Sequence, residues 1–187
     1  MKRITVDDVD PTVFDDGTRR RDLSAALATT GVALNRYRVP PGGGLPGGLH
    51  AHADQEEIFV VTAGEATFET LDGEVIVAED EAIRFAPDEF QSGKNDSSDE
   101  LVVLALGAPR ESDNIRVPLR CRECGRDDLR LGSVEGEPGL VCPDCDAAYS
   151  PRPCPACGHE EMRVVLGEAD RPVVACPDCG AEFEDHV

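Results

Sequence analysis

All eight cysteines of the chain lie beyond position 120, in four Cys-x-x-Cys pairs: Cys121/Cys124, Cys142/Cys145, Cys154/Cys157 and Cys176/Cys179. Aligning the first pair with the third also aligns Gly125 with Gly158, Asp127-Asp128 with Glu160-Glu161, Val141 with Ala175 and Tyr149 with Phe183. The C-terminal third is therefore an internal duplication of units of about 33 residues. A unit that short cannot bury enough apolar surface to fold alone. Coordination of a metal by four thiolates removes the deficit, supplying about 10–16 kcal/mol of apparent free energy at neutral pH.

Each unit resembles a zinc ribbon, in which two knuckles on hairpins give four thiolates to one tetrahedral Zn(II). The resemblance implies two structural Zn(II), one on Cys121, Cys124, Cys142 and Cys145 and one on Cys154, Cys157, Cys176 and Cys179. Pairing inside each repeat is expected, because joining Cys142/Cys145 to Cys154/Cys157 would enclose only eight residues. A glycine follows most second cysteines, where a sharp knuckle needs a positive φ. Four thiolates leave no open coordination position, so these ions are not expected to be catalytic. A thioredoxin-like redox pair would want a βαβ setting that is absent, and disulfides do not suit a reducing compartment. His159 beside a knuckle is not needed as a ligand, nor is His186 near the C-terminus.

The N-terminal half is dominated by the stretch GLPGGLHAHADQEEIFVVTAG, Gly44 to Gly64. His50 and His52 are two apart, so on a strand both imidazoles leave the same face. Glu57 heads the apolar run Ile58-Phe59-Val60-Val61, and a second strand there can return its carboxylate toward the histidines. Two neutral imidazoles and a carboxylate make a three-ligand set suited to one divalent Fe, Mn, Ni or Zn. The spacing of Gly44, His50, His52, Glu57 and Gly64 resembles the first motif of the cupin superfamily. The second motif of that family departs here: Pro87 and Asn95 match, but no histidine is present, and Gln91 best occupies the missing ligand position. The resemblance implies a metal site on His50, His52 and Glu57, with Gln91 as a weak fourth ligand or a hydrogen-bond donor to water or substrate.

Short strands are expected at Val32 to Val39, through the histidines, Glu57 to Ala63, Ala66 to Leu71, Glu74 to Ala78, Ile83 to Ala86 and Leu101 to Leu106. Asp72-Gly73 signals a two-residue hairpin. Asp22 to Ala28 reads as one or two helical turns ending near Gly31. Strands punctuated by Gly, Pro and Asp, with little helix, make the chain mainly β. The cupin resemblance implies a small jelly-roll barrel, followed by two tandem zinc-ribbon modules. Expected boundaries are a barrel domain over 1–108, a linker over 109–120, and ribbons over 121–150 and 151–187.

Acidic residues number 38 against 18 basic ones, a net charge of −20. That excess opposes a nucleic-acid or anionic-membrane partner. Only Lys2 and Lys94 are lysines, and lysine depletion under a carboxylate-rich surface resembles halophilic composition. At molar salt the Debye length is only about 3 Å, so net charge then says little about partners. No segment approaches the roughly 20 apolar residues of a membrane span, and MKRITVDDVD lacks an apolar leader core, so a cytoplasmic protein is expected.

Arg36, Arg38 and Arg84 lie on expected strands, where an outward one would make a solvent-facing salt bridge and an inward one would pair with a carboxylate or phosphate of a small ligand. Arg19-Arg20-Arg21 reads as a neutraliser of neighbouring carboxylates or as a contact point. Arg110, Arg116, Arg120, Arg122, Arg126 and Arg130 form a cationic island. Two functions fit. One is a metal-dependent cupin that senses or transforms a small polar metabolite by dioxygen or Lewis-acid chemistry, with the ribbons as a docking tail; no separate general base can be named. The other is an interaction protein whose ribbons and Arg110–Arg130 region dock on RNA, a ribosome or a transcription complex, with the barrel as a dimerising scaffold or ligand sensor. A homodimer is expected, since cupins commonly pair through an outer sheet.

Overall fold

A computed structural model describes residues 1–167 and 171–184 of the 187-residue chain; His186 lies outside the described residues. The first half carries strands β1 (Thr12–Val13), β2 (Arg19–Asp22), β3 (Ala33–Val39), β4 (Ala51–His52), β5 (Glu56–Ala63), β6 (Glu65–Thr70), β7 (Gly73–Ala78), β8 (Ala82–Phe85), β9 (Ser92–Lys94) and β10 (Leu101–Ala108), with helix α1 (Leu23–Leu27). The rest carries β11 (Ile115–Val117), β12 (Leu129–Val134), β13 (Glu137–Val141), β14 (Ala148–Tyr149), β15 (Arg163–Leu166), β16 (Pro172–Ala175) and β17 (Glu182–Phe183). The protein is mainly β, as its punctuated alternation leads one to expect.

A six-stranded sheet in the order β1-β2-β3-β10-β5-β8 accompanies a three-stranded sheet, β7-β6-β9. Their shared core gathers Tyr37, Val39, Phe59, Val61, Phe68, Phe85, Leu101 and Val103. These residues alternate along their strands, so each strand turns one face to this core, while β5 and β10 carry apolar residues such as Val60, Val102 and Leu104 on the other face as well. Phe59 and Phe68 sit with ring centroids 4.9 Å apart, and Phe68 and Phe85 at 5.4 Å. Such tilted pairs fill a narrow barrel interior better than stacked rings.

Three local expectations change in the fold. The hairpin loop is Leu71-Asp72, since Thr70 pairs with Gly73 and the glycine already belongs to β7. Helix α1 ends at Leu27 rather than near Gly31, because Ala28 takes a left-handed conformation (φ 58°) that closes the turn. Its start is as the sequence implies, with the Asp22 carboxylate accepting the Ala25 N–H at 3.0 Å.

The third is the stretch read as a linker, 109–120, which carries β11 and hydrogen-bonds through it to the histidine strand β4 on one side and to β12 on the other. Its lack of apolar periodicity concealed this, since a three-residue strand is too short to show one. The result is a five-stranded sheet, β14-β13-β12-β11-β4, continuous from the first four-cysteine unit to His52. A second core joins the two halves: Leu49 packs with Val117, Leu119, Leu129, Leu140, Val164 and Val174 around Cys121 and Cys142. The Leu49 N–H also donates to the Val164 carbonyl at 2.7 Å, so the second unit touches the loop before the histidines.

The duplication is visible in the strand pairing. Leu140 faces Tyr149 in the first unit as Val174 faces Phe183 in the second. Among the described residues only β12, and not β15, is extended by a further strand, so the units differ in context rather than in plan.

Candidate metal centres and ligand cavity

His50 and His52 flank Ala51, which is buried on the opposite face, and both rings enter one cavity, with centroids 5.2 Å apart. Glu57 reaches the same place from β5, in a different sheet, so the site forms where the two sheets meet. One ligand atom from each of His50, His52 and Glu57 lies within 4.8 Å of the others. The expected trio therefore converges.

Hydrogen bonds fix which ring nitrogens are available. His50 Nδ1 lies 2.8 Å from the Gly48 carbonyl, an acceptor only, so that nitrogen carries the proton. His52 Nδ1 lies 2.8 Å from Ser112 Oγ, and that hydroxyl gives its single proton to Asp54 Oδ1 at 2.5 Å. His52 Nδ1 must then donate as well. Each ring then keeps its lone pair on Nε2, and His52 Nε2 lies 3.7 Å from Glu57 Oε1. Burial holds the His52 imidazole below its usual pKa, against the pull of Glu57, which favours the neutral ring a metal needs. This is the arrangement of imidazoles oriented by outer partners that metal sites require.

Gln91 is buried in the same wall and its backbone exchanges two hydrogen bonds with His50, 3.1 and 2.9 Å long. Its side-chain amide donates to Glu57 Oε2 at 3.0 Å. It thus helps to hold the carboxylate in place. Asn95 is fully buried and donates to the Val39 and Asp99 carbonyls at 2.9 and 2.8 Å, a structural tie that closes the loop around the second motif.

The cavity above the trio measures about 440 Å³ and is lined by Tyr37, Asn35, Gln55, Phe59, Arg20, Arg110 and Ser112, among others. Ile115 and Leu131 also line it, so the first four-cysteine unit supplies part of its wall. Arg36, Arg38 and Arg84, of which an inward one would have met a ligand, form ion pairs instead. Arg36 pairs with Asp7 at 2.9 Å, Arg38 with Glu100 at 3.4 Å and Arg84 with Glu56 at 2.7 Å, all on the outer surface. Arg20 takes their place, from a strand the sequence did not reveal. The signal was present in the threefold arginine run, since alternation along a strand turns its middle member the other way.

In the C-terminal units each set of four cysteines comes from a single repeat, with sulfurs within 4.8 Å of one another. Opposed sulfurs are 3.6 Å apart for Cys121 and Cys145, 3.5 Å for Cys124 and Cys142, 3.7 Å for Cys154 and Cys179 and 3.5 Å for Cys157 and Cys176. A Zn–S bond of about 2.3 Å in a tetrahedron requires edges of nearly that length, whereas a disulfide is about 2.05 Å. The Tyr149 hydroxyl, 3.2 Å from Cys121 Sγ, helps bring that thiol down to about 6. Gly125 and Gly158 have φ of 80° and 81°, as a knuckle demands; after Cys145 the same bend is made by Asp146 at 57°. The clusters can hold structural zinc. His159 contributes its backbone carbonyl to the Cys154 N–H.

The arginine island is largely neutralised in place. Arg116 pairs with Asp128 at 3.0 Å, Arg126 with Asp128 at 2.8 Å and Asp144 at 2.6 Å, and Arg120 with Asp127 at 3.8 Å. Among the described residues no helix is long and apolar enough to cross a membrane.

The Cupin domain family profile matches residues 35–107. Among solved structures, a cupin-superfamily sugar phosphate isomerase from Silicibacter pomeroyi is 17% identical, covering 77% of this chain and 94% of its own, with a TM-score of 0.58. The polyketide cyclase of Streptomyces resistomycificus is 22% identical, covering 66% and 89%, with a TM-score of 0.54. A predicted oxalate decarboxylase from Thermotoga maritima is 20% identical, covering 57% and 98%, with a TM-score of 0.51. At such identities the likeness is one of fold. No curated protein sequence matches the chain. Profile, shape and the converging His50, His52 and Glu57 agree: residues 35–107 are a cupin domain, followed by two four-cysteine clusters compatible with tandem zinc ribbons.

Proposed function

We propose that this protein is a metal-dependent cupin that binds a small polar metabolite at a divalent ion held by His50, His52 and Glu57. The observation that carries this reading is the pairing of both Nδ1 atoms with other groups, which leaves two Nε2 lone pairs for an ion, in a trio whose ligand atoms lie within 4.8 Å of one another. Such an ion supplies Lewis-acid polarisation of a ligand oxygen, or, if iron, a site for dioxygen. The chain's own residues do the rest. Gly48 and Ser112 orient the rings, Gln91 holds the carboxylate, and Tyr37, Phe59 and Leu131 contribute to the cavity wall.

The two four-cysteine clusters each hold Zn(II) in this reading, and the first has a second role as part of the cavity wall. Docking of the ribbons on RNA finds less support, because the Arg116, Arg120 and Arg126 guanidinium groups are already matched with carboxylates.

Elemental analysis of the full chain tests the proposal. About three metals per chain are expected, falling to two in a His50→Ala/His52→Ala variant. Two in both samples would leave the cupin domain without its ion and end the metal-dependent reading.

A further inference from the structure

The cavity has a second polar feature that the metal trio does not use. Arg20 lies on β2 directly opposite Tyr37 of β3, and cross-strand partners share a face, so its side chain enters the cavity with the tyrosine. Its neighbour in sequence turns outward and finds partners: Arg21 donates to the Val9 carbonyl at 2.9 Å and approaches Asp7. Arg20 pairs with no carboxylate among the described residues. Its Nε is buried and has no hydrogen-bond partner, while its guanidinium sits 5.9 Å from the centroid of the Phe14 ring.

An unsatisfied buried N–H on a guanidinium is costly, and native proteins rarely keep one without a use. Arg38 Nε is orphaned too, but the Arg38 guanidinium is matched by Glu100 at 3.4 Å, so of the two only Arg20 keeps an uncompensated charge among the described residues. The other arginine lining the cavity, Arg110, is engaged by the Thr29 carbonyl and lies 3.7 Å from Glu111. Burial raises the pKa of the Tyr37 phenol beside Arg20, the charge and hydrogen bonding of Arg20 oppose this, and the Glu57 charge adds to it. Arg20 lines the same cavity as His50, His52 and Glu57, and its volume of about 440 Å³ suits one small molecule.

We infer that Arg20 is the anion-binding pole of the cavity, receiving the carboxylate or phosphate of a small metabolite whose other end meets the ion at His50, His52 and Glu57. A planar guanidinium fork matches either oxyanion with two parallel hydrogen bonds. The inference rests on the metal reading for the far end of the ligand, but the anion contact itself does not.

The test uses the metal-loaded full chain and four probes in low-chloride buffer: inorganic phosphate, glycerol 3-phosphate, glycerate and glycerol. Calorimetry should show binding of at least one anion and none of glycerol; the phosphate and glycerate arms distinguish the two oxyanions. Arg20→Gln should weaken that binding about tenfold or more. Arg20→Lys, which keeps the charge but loses the fork, should fall between, and metal content should stay that of the wild type in both. In wild-type protein, the Arg20 Nε–H resonance should shift on adding the anion, a readout that needs no variant to fold. Failure of the wild type to bind any anion, an unmoved Nε–H signal, or undiminished binding by Arg20→Gln would overturn the inference. Arg20-dependent binding in a protein that carries only two metals would sink the metal reading and leave the inference standing.

Discussion

Ser112 Oγ lies 2.8 Å from His52 Nδ1 across 60 positions of sequence, and passes its own proton to Asp54. That hydroxyl fixes the tautomer of a candidate ligand from a segment without regular structure, beside β11. Replacing such an outer partner typically lowers metal affinity about 10- to 100-fold. Ser112→Ala is expected to do so at the cupin site while leaving both four-cysteine clusters loaded, which competition with a chelator of known affinity will measure. An unchanged affinity would mean that the ring is oriented by packing alone.

The first four-cysteine unit should matter to the cupin site more than the second. Cys121 and Cys142 are buried in the core that includes Leu49, and β12 reaches the histidine strand through β11. Cys142→Ser should therefore speed amide exchange at Ala53, whose N–H donates to the Asn114 carbonyl at 2.9 Å, and reduce metal at the histidines. Cys176→Ser, in the second unit, should have the smaller effect on both. Equal effects, or none, would show that the shared sheet does not stiffen the site.

Gly48 marks the contact between the histidine loop and the second unit. Its φ is +65°, and a Cβ there would lie 2.7 Å from the Val164 carbonyl oxygen. Gly48→Ala should cost about 1–3 kcal/mol in chemical denaturation. Gly31, with open space around it and no positive φ, serves as the control, and Gly31→Ala should be neutral or slightly stabilising.

Asp16 ties the turn before β2 to the start of the histidine loop. Its carboxylate accepts the Thr18 N–H at 2.9 Å, the Thr18 hydroxyl at 3.0 Å and the Gly44 N–H at 3.0 Å. Burial pushes its pKa up, but these hydrogen bonds outweigh burial and hold it below the ordinary value of 3.8. A carboxyl depressed by folding stabilises the native state above its unfolded pKa and loses that effect as pH falls through its folded pKa. Asp16→Asn should therefore melt lower than wild type near neutral pH, and the gap should shrink below about pH 3.8. A gap independent of pH would place the contribution in shape rather than charge.

Much of the site was legible before the fold was known. His50 and His52 share a face because alternate strand residues always do, and the cysteine pairs had to converge because units so short have no other source of stability. These are local rules, and each needs only spacing. Gln91 was found from its distance to Asn95, but its role was not, since a hydrogen bond to Glu57 depends on a strand 34 positions away.

What the chain alone determined is its mainly β character, the donor sets of its three candidate metal centres and the period of its repeats. Only tertiary structure decided that Arg20 rather than Arg36, Arg38 or Arg84 faces the cavity, that Ser112 orients His52, and that 109–120 joins a ribbon to the barrel. The reason is the same in each case. Spacing sets which side of its own strand a residue takes, but which side becomes the interior is chosen by how distant strands close over one another.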